Sequence, residues 1–348
     1  MTDQLDLAAL APPRARSIRL PGTDLVEPCV RGVLGALHAG DGPTRLQLDL
    51  LGAVARAIGS PIDDLEHLEP LEPDELAAAV DDRALRHELV DLMVALEFVV
   101  HPLPHELQHR IDAYASALGI ADPSLGAARD LAHHHMALLH ADLLRNSWYT
   151  ERTVQGLTEG LGRELAHSKA SYFGAPEDRT LAARWQALGD LPDGSWGRAV
   201  HEFYRLHGFP LPGERHGIYE LGALHDWVHV LTDYGTDPEG EIDVFTFIAA
   251  TMCDPHGFVL FLVTLCLFQN ASIHHVGGKK IVIARADTLA DPGAADRWAD
   301  ALWRATRCTV DPMGGVDHFA LAGVPLDELR GSWRVPAKRA DGRGAFDR

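Results

Sequence analysis

The sequence predicts an all-α protein built from two helical domains. Apolar residues recur at helical spacing along most of the chain. Several of these stretches stop at helix-ending residues, as at Gly59 and Gly119. Period-two alternation is almost absent, and only 281–285 (IVIAR) reads as a fair strand. With 348 residues the chain is long enough for two cores.

Taken in order, helices are expected over 44–58, 84–99 and 103–118. The endings AVARAIG (53–59) and AYASALG (113–119) are alike, which suggests an internal duplication. A long helix is expected over 125–147, followed by a looser region through 173–179. Ser195 has the character of an N-cap for a helix at 196–207. Further helices are expected at 217–233, 241–252, 257–271 and 293–307. The domain boundary falls within 150–178 and gives domains at 25–148 and 165–337.

The totals exclude several functions. The net charge is −19. Phosphate binding needs a basic surface, so nucleic acid is not an expected partner. A broad electrostatic dock on anionic lipid is disfavoured for the same reason. Four dispersed cysteines (Cys29, Cys253, Cys266, Cys308) form no CxxC, so neither a disulfide framework nor a cysteine zinc site is expected. The first residues lack the apolar stretch of a signal peptide, and a reducing cytoplasm is the expected location. The longest apolar run, FVLFLVTLCLF (258–268), is well short of the roughly 20 residues of a membrane span. It reads as a buried helix or as the wall of a pocket for a greasy ligand.

Twenty histidines make about one HxxxH pair expected by chance, and three occur, at 101/105, 105/109 and 225/229. The HELQH stretch (105–109) spells a metalloprotease motif. Pro104 forces it into the first turn of its helix, and Gln108 and Arg110 surround it with polar groups. It reads as a surface helix, with a hydrolase as the alternative. The run His133–His134–His135 reads as a solvated helix face. Successive side chains there point about 100° apart and cannot converge on one metal.

HDWVH (225–229) is different. With His225 at 0°, His229 falls near 40° and Asp226 near 100° around a helix. Leu221, Leu224, Val228 and Leu231 form an adjoining apolar stripe, which places the polar wedge at a pocket edge. The turn TDPEG then brings Glu241 to the start of the next helix, within reach of both imidazoles. Two imidazoles and two carboxylates make an N/O shell that suits a divalent cation.

HD-x2-H-x11-E resembles the signature of the Coq4 family of coenzyme Q biosynthesis, at His225, Asp226, His229 and Glu241. HVLTDYGTDPEGE matches the family pattern except at Asp233 and Glu239. LPDGSWGRAVHEFYRLHGF (191–209) and VPLDELRGSWRV (324–335) resemble the family's flanking segments. The resemblance covers about 178–336. It implies an all-helical homodimer that binds a divalent metal through these four residues, with zinc first and iron or magnesium as alternatives. It implies a prenylated quinone precursor or another isoprenoid lipid as ligand, oxidative decarboxylation of the head group, other quinone-biosynthesis enzymes as partners, and peripheral contact with the inner membrane face. A non-catalytic lipid-binding scaffold is the alternative. An HD-type phosphohydrolase using His201, His225, Asp226 and Asp254 is a further one. Beside this family, 28–120 resembles a TerB-like helical domain of tellurite-resistance proteins, with Glu106 at its acidic position. Leu46 and His101–Pro102 depart from that pattern. An apolar cavity for the prenyl chain is expected beside the metal motif, walled by Leu221, Leu224, Val228, Leu231, 244–248 and 258–268.

Overall fold

A computed structural model describes residues 7–14, 18–62, 64–252, 255–276, 279–280 and 285–348. Its architecture is all-α. The first half contains Leu7–Leu10 (α1), Val26–Leu37 (α2), Arg45–Ala57 (α3), Pro73–Ala79 (α4), Arg83–Phe98 (α5), His105–Leu118 (α6), Pro123–Ala132 (α7) and Met136–Arg145 (α8). Local chemistry sets the ends. Thr44 and Gln47 form a reciprocal capping box on α3, and Asp82 and Asp122 cap α5 and α7. Gly119 ends α6 in the left-handed conformation.

The second half contains Trp148–Thr158 (α9), Gly162–Tyr172 (α10), Arg179–Gln186 (α11), Trp196–His207 (α12), Glu220–Thr232 (α13), Pro238–Met252 (α14), Pro255–Phe268 (α15), Ala294–Arg307 (α16), His318–Leu321 (α17) and Leu326–Ser332 (α18). Among the described residues, extended pairing beyond isolated bridges is limited to His275–Val276 with Lys279–Lys280. The strand expected at 281–285 lies outside the described residues except for Arg285.

Two apolar cores organise these helices. One runs through α2–α8 and continues into α15 and α16, so that Leu34, Met93 and Phe98 belong with Leu262, Leu265 and Trp298. The other joins α11–α14 to α16–α18 around Trp185, Trp196, Trp227 and Trp333. Side-chain amides tie the two halves together. Gln269 donates to the carbonyl of Val99 and Asn270 to that of Phe98.

Three expectations need correction. The helix expected over 125–147 is broken into α7 and α8 at 133–135, where His134 takes φ 56° and the His135 amide donates to the Asp130 carbonyl. The three histidines therefore mark a helix break rather than a helix face, and the ring of His133 packs between His105 and His135. Histidine's modest helix propensity leaves such a run open to interruption. The region expected to be looser is occupied by α9 and α10, α9 being capped by Ser147. Exposed Val154 and Leu157 on α9, and Leu161 just before α10, blur the apolar periodicity that would have marked them. Ser195 stands at the N-terminus of α12, but its hydroxyl donates to the Pro192 carbonyl. The first amides of α12 instead donate to Val324 and Ala322.

That last contact matters for the site. Leu326 in turn donates to Gly194, so the 191–209 and 324–335 segments pack against each other. Together with α16 they hold the end of α13. The Trp196 indole donates to the Trp227 carbonyl, Arg330 to those of Val230 and Leu231, and Arg304 to that of Thr232. The carbonyls of Val230, Leu231 and Thr232, which the last turn of α13 leaves without helical partners, are thereby satisfied by side chains.

Candidate metal centre

His225 and His229 stand one turn apart on α13. The helix ends at Thr232, and Asp233 turns the chain in the left-handed conformation. Asp237 caps α14 through the Gly240 amide. The turn is tight: a Cβ on Gly240 would lie 2.0 Å from the Gly235 carbonyl oxygen, so only glycine fits. Because α14 starts at Pro238, Glu241 falls within its first turn rather than opening it. This places the Glu241 carboxylate against the histidine face of α13.

The two rings are oriented alike. Nδ1 of His225 lies 2.5 Å from the Gly222 carbonyl, and Nδ1 of His229 lies 3.1 Å from that of Tyr234. A carbonyl only accepts, so both Nδ1 atoms carry the proton and both Nε2 atoms are available as ligands. His225 Nε2 is 4.0 Å from Glu241 Oε2, and His229 Nε2 is 3.5 Å from Glu241 Oε1. One ligand atom from each of the three residues lies within 4.8 Å of the other two. Asp226 sits beside this group. Its Oδ1 is 3.3 Å from His225 Nε2, while its Oδ2 accepts from the Tyr204 hydroxyl. His225, His229 and Glu241 are thus brought together, and Asp226 flanks them.

The surroundings fix the rings further. His225 stacks on Phe245 and His229 on Phe203. His229 is fully buried, and its Nε2 has no hydrogen-bond partner. A buried imidazole nitrogen facing a carboxylate without a hydrogen bond is what a cation site requires. Burial, the largest influence, lowers the basicity of His229, but the nearby Glu241 and Asp226 carboxylates and the Tyr234 carbonyl together outweigh it and hold the imidazole above its ordinary value. Burial raises Glu241, yet the two histidines hold it below the usual carboxylate range. Burial beside Asp226 pushes the Tyr204 phenol well up, so it stays a donor.

The two departures from the family pattern point into ion pairs of their own. Asp233 meets Lys338 at 3.1 Å and Glu239 meets Arg297 at 2.8 Å. The supporting residues Tyr204, Phe203, Phe245, Arg304 and Arg330 went unread in the sequence, because each acts through packing across helices and no spacing signals it.

A second cluster, His87–Asp91–Asp122, was also missed. His87 Nδ1 is 3.2 Å from Asp91 and its Nε2 is 3.3 Å from Asp122. Each ring nitrogen faces a different carboxylate, which describes an imidazolium clamped between two anions better than a metal ligand. Accordingly His87 is raised to about 10 by its hydrogen bonds to Asp122 and Asp91. Among the described residues, His105 and His109 of HELQH belong to no such group of three, nor does His201, and Asp254 lies outside the described residues. Cys29, Cys266 and Cys308 are buried free thiols, and Cys253 lies outside the described residues. Among the described residues, no helix is long and apolar enough to cross a membrane.

An apolar cavity of about 160 Å³ is present, lined by Thr246 on α14 and by Phe258 and Phe261 on α15 as expected. Leu221, Leu224, Val228 and Leu231 do not line it. They are committed to the second core, where Val228 and Leu231 are fully buried, and so this cavity does not border the histidines. The chain matches no family model and no curated protein.

Proposed function

We propose that His225, His229 and Glu241, with Asp226 beside them, bind one divalent cation, and that the protein is a Coq4-like protein acting on a prenylated quinone precursor. The observation that carries the metal assignment is the matched orientation of the two imidazoles: both Nδ1 atoms are tied to carbonyls and both Nε2 atoms face Glu241. Zinc is the first choice for this N/O shell, with iron or magnesium as alternatives. A bound divalent ion supplies positive charge that polarises a carboxylate or phenolate. The chain's own part is to hold the ligands. Gly222 and Tyr234 fix the tautomers, Tyr204 fixes Asp226, and Phe203 and Phe245 fix the ring planes.

The substrate class rests on the resemblance of 178–336. Mutual packing of the two flanking segments, and their grip on α13, supports reading them with the motif as one unit. We read 25–148 as a TerB-like helical domain and 165–337 as the Coq4-like one. The left-handed glycines after α3 and α6 support the internal duplication.

Metal content of the purified protein by plasma mass spectrometry is the test. About one equivalent in the wild type, lost in His229→Ala, is expected. Metal retained in the variant overturns the assignment. Mass spectrometry of extracted lipid, and turnover of a prenylated hydroxybenzoate, test the substrate. Complete burial of His229 favours a structural metal in a lipid-binding scaffold as the second reading. A prenyl lipid that co-purifies without any turnover would put the scaffold first.

A further inference from the structure

One side of the metal centre stays accessible. His229 is sealed, but the side chains of His225, Asp226 and Glu241 keep 14%, 9% and 15% of their surface exposed. A catalytic cation keeps a coordination position open for its ligand. The chain outside 178–336 also reaches this centre, through α9. Buried Trp148 anchors α9 to the second core, and the next residue, Tyr149, is only partly buried against it. The Tyr149 ring meets that of Tyr219, the residue just before α13, edge-on at 5.9 Å. Tyr219 meets Tyr172, the last residue of α10, in the same way at 5.8 Å.

The Tyr149 phenol lies within electrostatic reach of both carboxylates of the centre. Burial, and then the charges of Tyr219, Asp226 and Glu241, push it well above the ordinary phenol value, so the hydroxyl keeps its proton. Among the described residues that hydroxyl has no hydrogen-bond partner, and unlike His229 Nε2 it is not sealed. Tyr204, by contrast, is spent on Asp226. The centre therefore has an unspent donor beside it. Lys169 Nζ adds positive charge 5.9 Å from the centroid of the Tyr219 ring. A cation and a neutral donor are answered together by an anion with two oxygens, one on the metal and one accepting from the phenol. A carboxylate has that form. The rings of Tyr219 and of Phe245, which stacks on His225, suit an aromatic body.

We propose that Tyr149, supplied by α9 from outside the segment that resembles the family, is a substrate-binding residue of the metal centre: its hydroxyl donates to one oxygen of an aromatic carboxylate whose other oxygen the cation holds. This role rests on the reading of His225, His229 and Glu241 as cation ligands.

The test uses the full chain loaded with Co²⁺, whose visible bands respond to its ligands. About one equivalent should bind to the wild type and to Tyr149→Phe alike, because the variant keeps the ring on Tyr219 and removes no metal ligand. Benzoate should shift the wild-type bands saturably. It should bind Tyr149→Phe about tenfold or more weakly, as loss of a hydrogen bond to a charged group predicts. Thiocyanate needs the cation alone and should bind both proteins equally. Tyr219→Phe leaves the Tyr149 hydroxyl in place and should keep the benzoate affinity. Wild-type bands that benzoate leaves unchanged, equal benzoate affinities in wild type and Tyr149→Phe, a parallel loss of thiocyanate, or an equal loss of benzoate in Tyr219→Phe each overturn the role of Tyr149 while the metal reading stands. Failure of the wild type to bind Co²⁺ overturns the metal reading itself, and this role with it.

Discussion

At the scale of single residues, the candidate centre is defined by what each ligand's other atoms do. An imidazole free to rotate pays an orientational cost on binding a metal, whereas His225 and His229 are already fixed by backbone carbonyls. Asp226 depends on one hydroxyl. Without Tyr204, its Oδ2 loses its donor and the carboxylate can turn away from His225. Tyr204→Phe keeps the ring in the core and should weaken metal affinity by roughly 10–100-fold, the usual scale for a supporting hydrogen bond. Chelator competition measures this directly. Unchanged affinity would remove Asp226 from the ligand set.

At the scale of elements, α13 is held from its C-terminal end. Arg330 gives two hydrogen bonds to carbonyls of that end, at 2.9 and 3.1 Å. Arg330→Ala leaves them without these donors and should cost about 1–3 kcal/mol, read as a lower melting temperature together with weaker metal retention. A fall in stability without any change in metal binding would show that the end of α13 does not position the histidines. On the other side of the molecule, His87 on α5 clamps Asp122, the cap of α7. Its folded value of about 10 lies above the roughly 6.5 of an unfolded chain. The clamp's contribution is complete below pH 6.5 and is lost as pH rises through 10. Stability measured by urea titration should therefore fall between these limits, by up to about 5 kcal/mol, and His87→Gln should flatten that fall. A parallel fall in the variant would assign the loss to other groups.

These elements also show what the sequence makes legible. HDWVH and Glu241 could be read because helical spacing and one short turn decide their meeting. The extents of α3, α5, α6 and α16 were read closely for the same local reason. The break at His134 and the helices α9 and α10 were not, since competing local hydrogen bonds and exposed apolar residues carry no periodic mark. Tyr204 and Arg330 reach across from other helices.

At the scale of the whole molecule, the first core is not closed by α2–α8 alone. Leu262, Leu265, Phe268 and Trp298 belong to it, and Gln269 and Asn270 donate to carbonyls just beyond the end of α5 and at its last residue. A fragment of 25–148 would expose the apolar surface that these residues cover and would leave those two carbonyls without their donors. Each apolar side chain so exposed forfeits about 1.5–3 kcal/mol, and the sum over several exceeds what a domain of that size can lose. The full chain should therefore melt in one calorimetric transition, and the 25–148 fragment should be unfolded or associated at 25 °C by circular dichroism and sedimentation. Asn270→Ala in the full chain should lower the whole transition, by about 1–3 kcal/mol, without splitting it. Two resolved transitions, or a monomeric folded fragment, would show that the halves are stable independently and that α15 and α16 merely lie against a finished core.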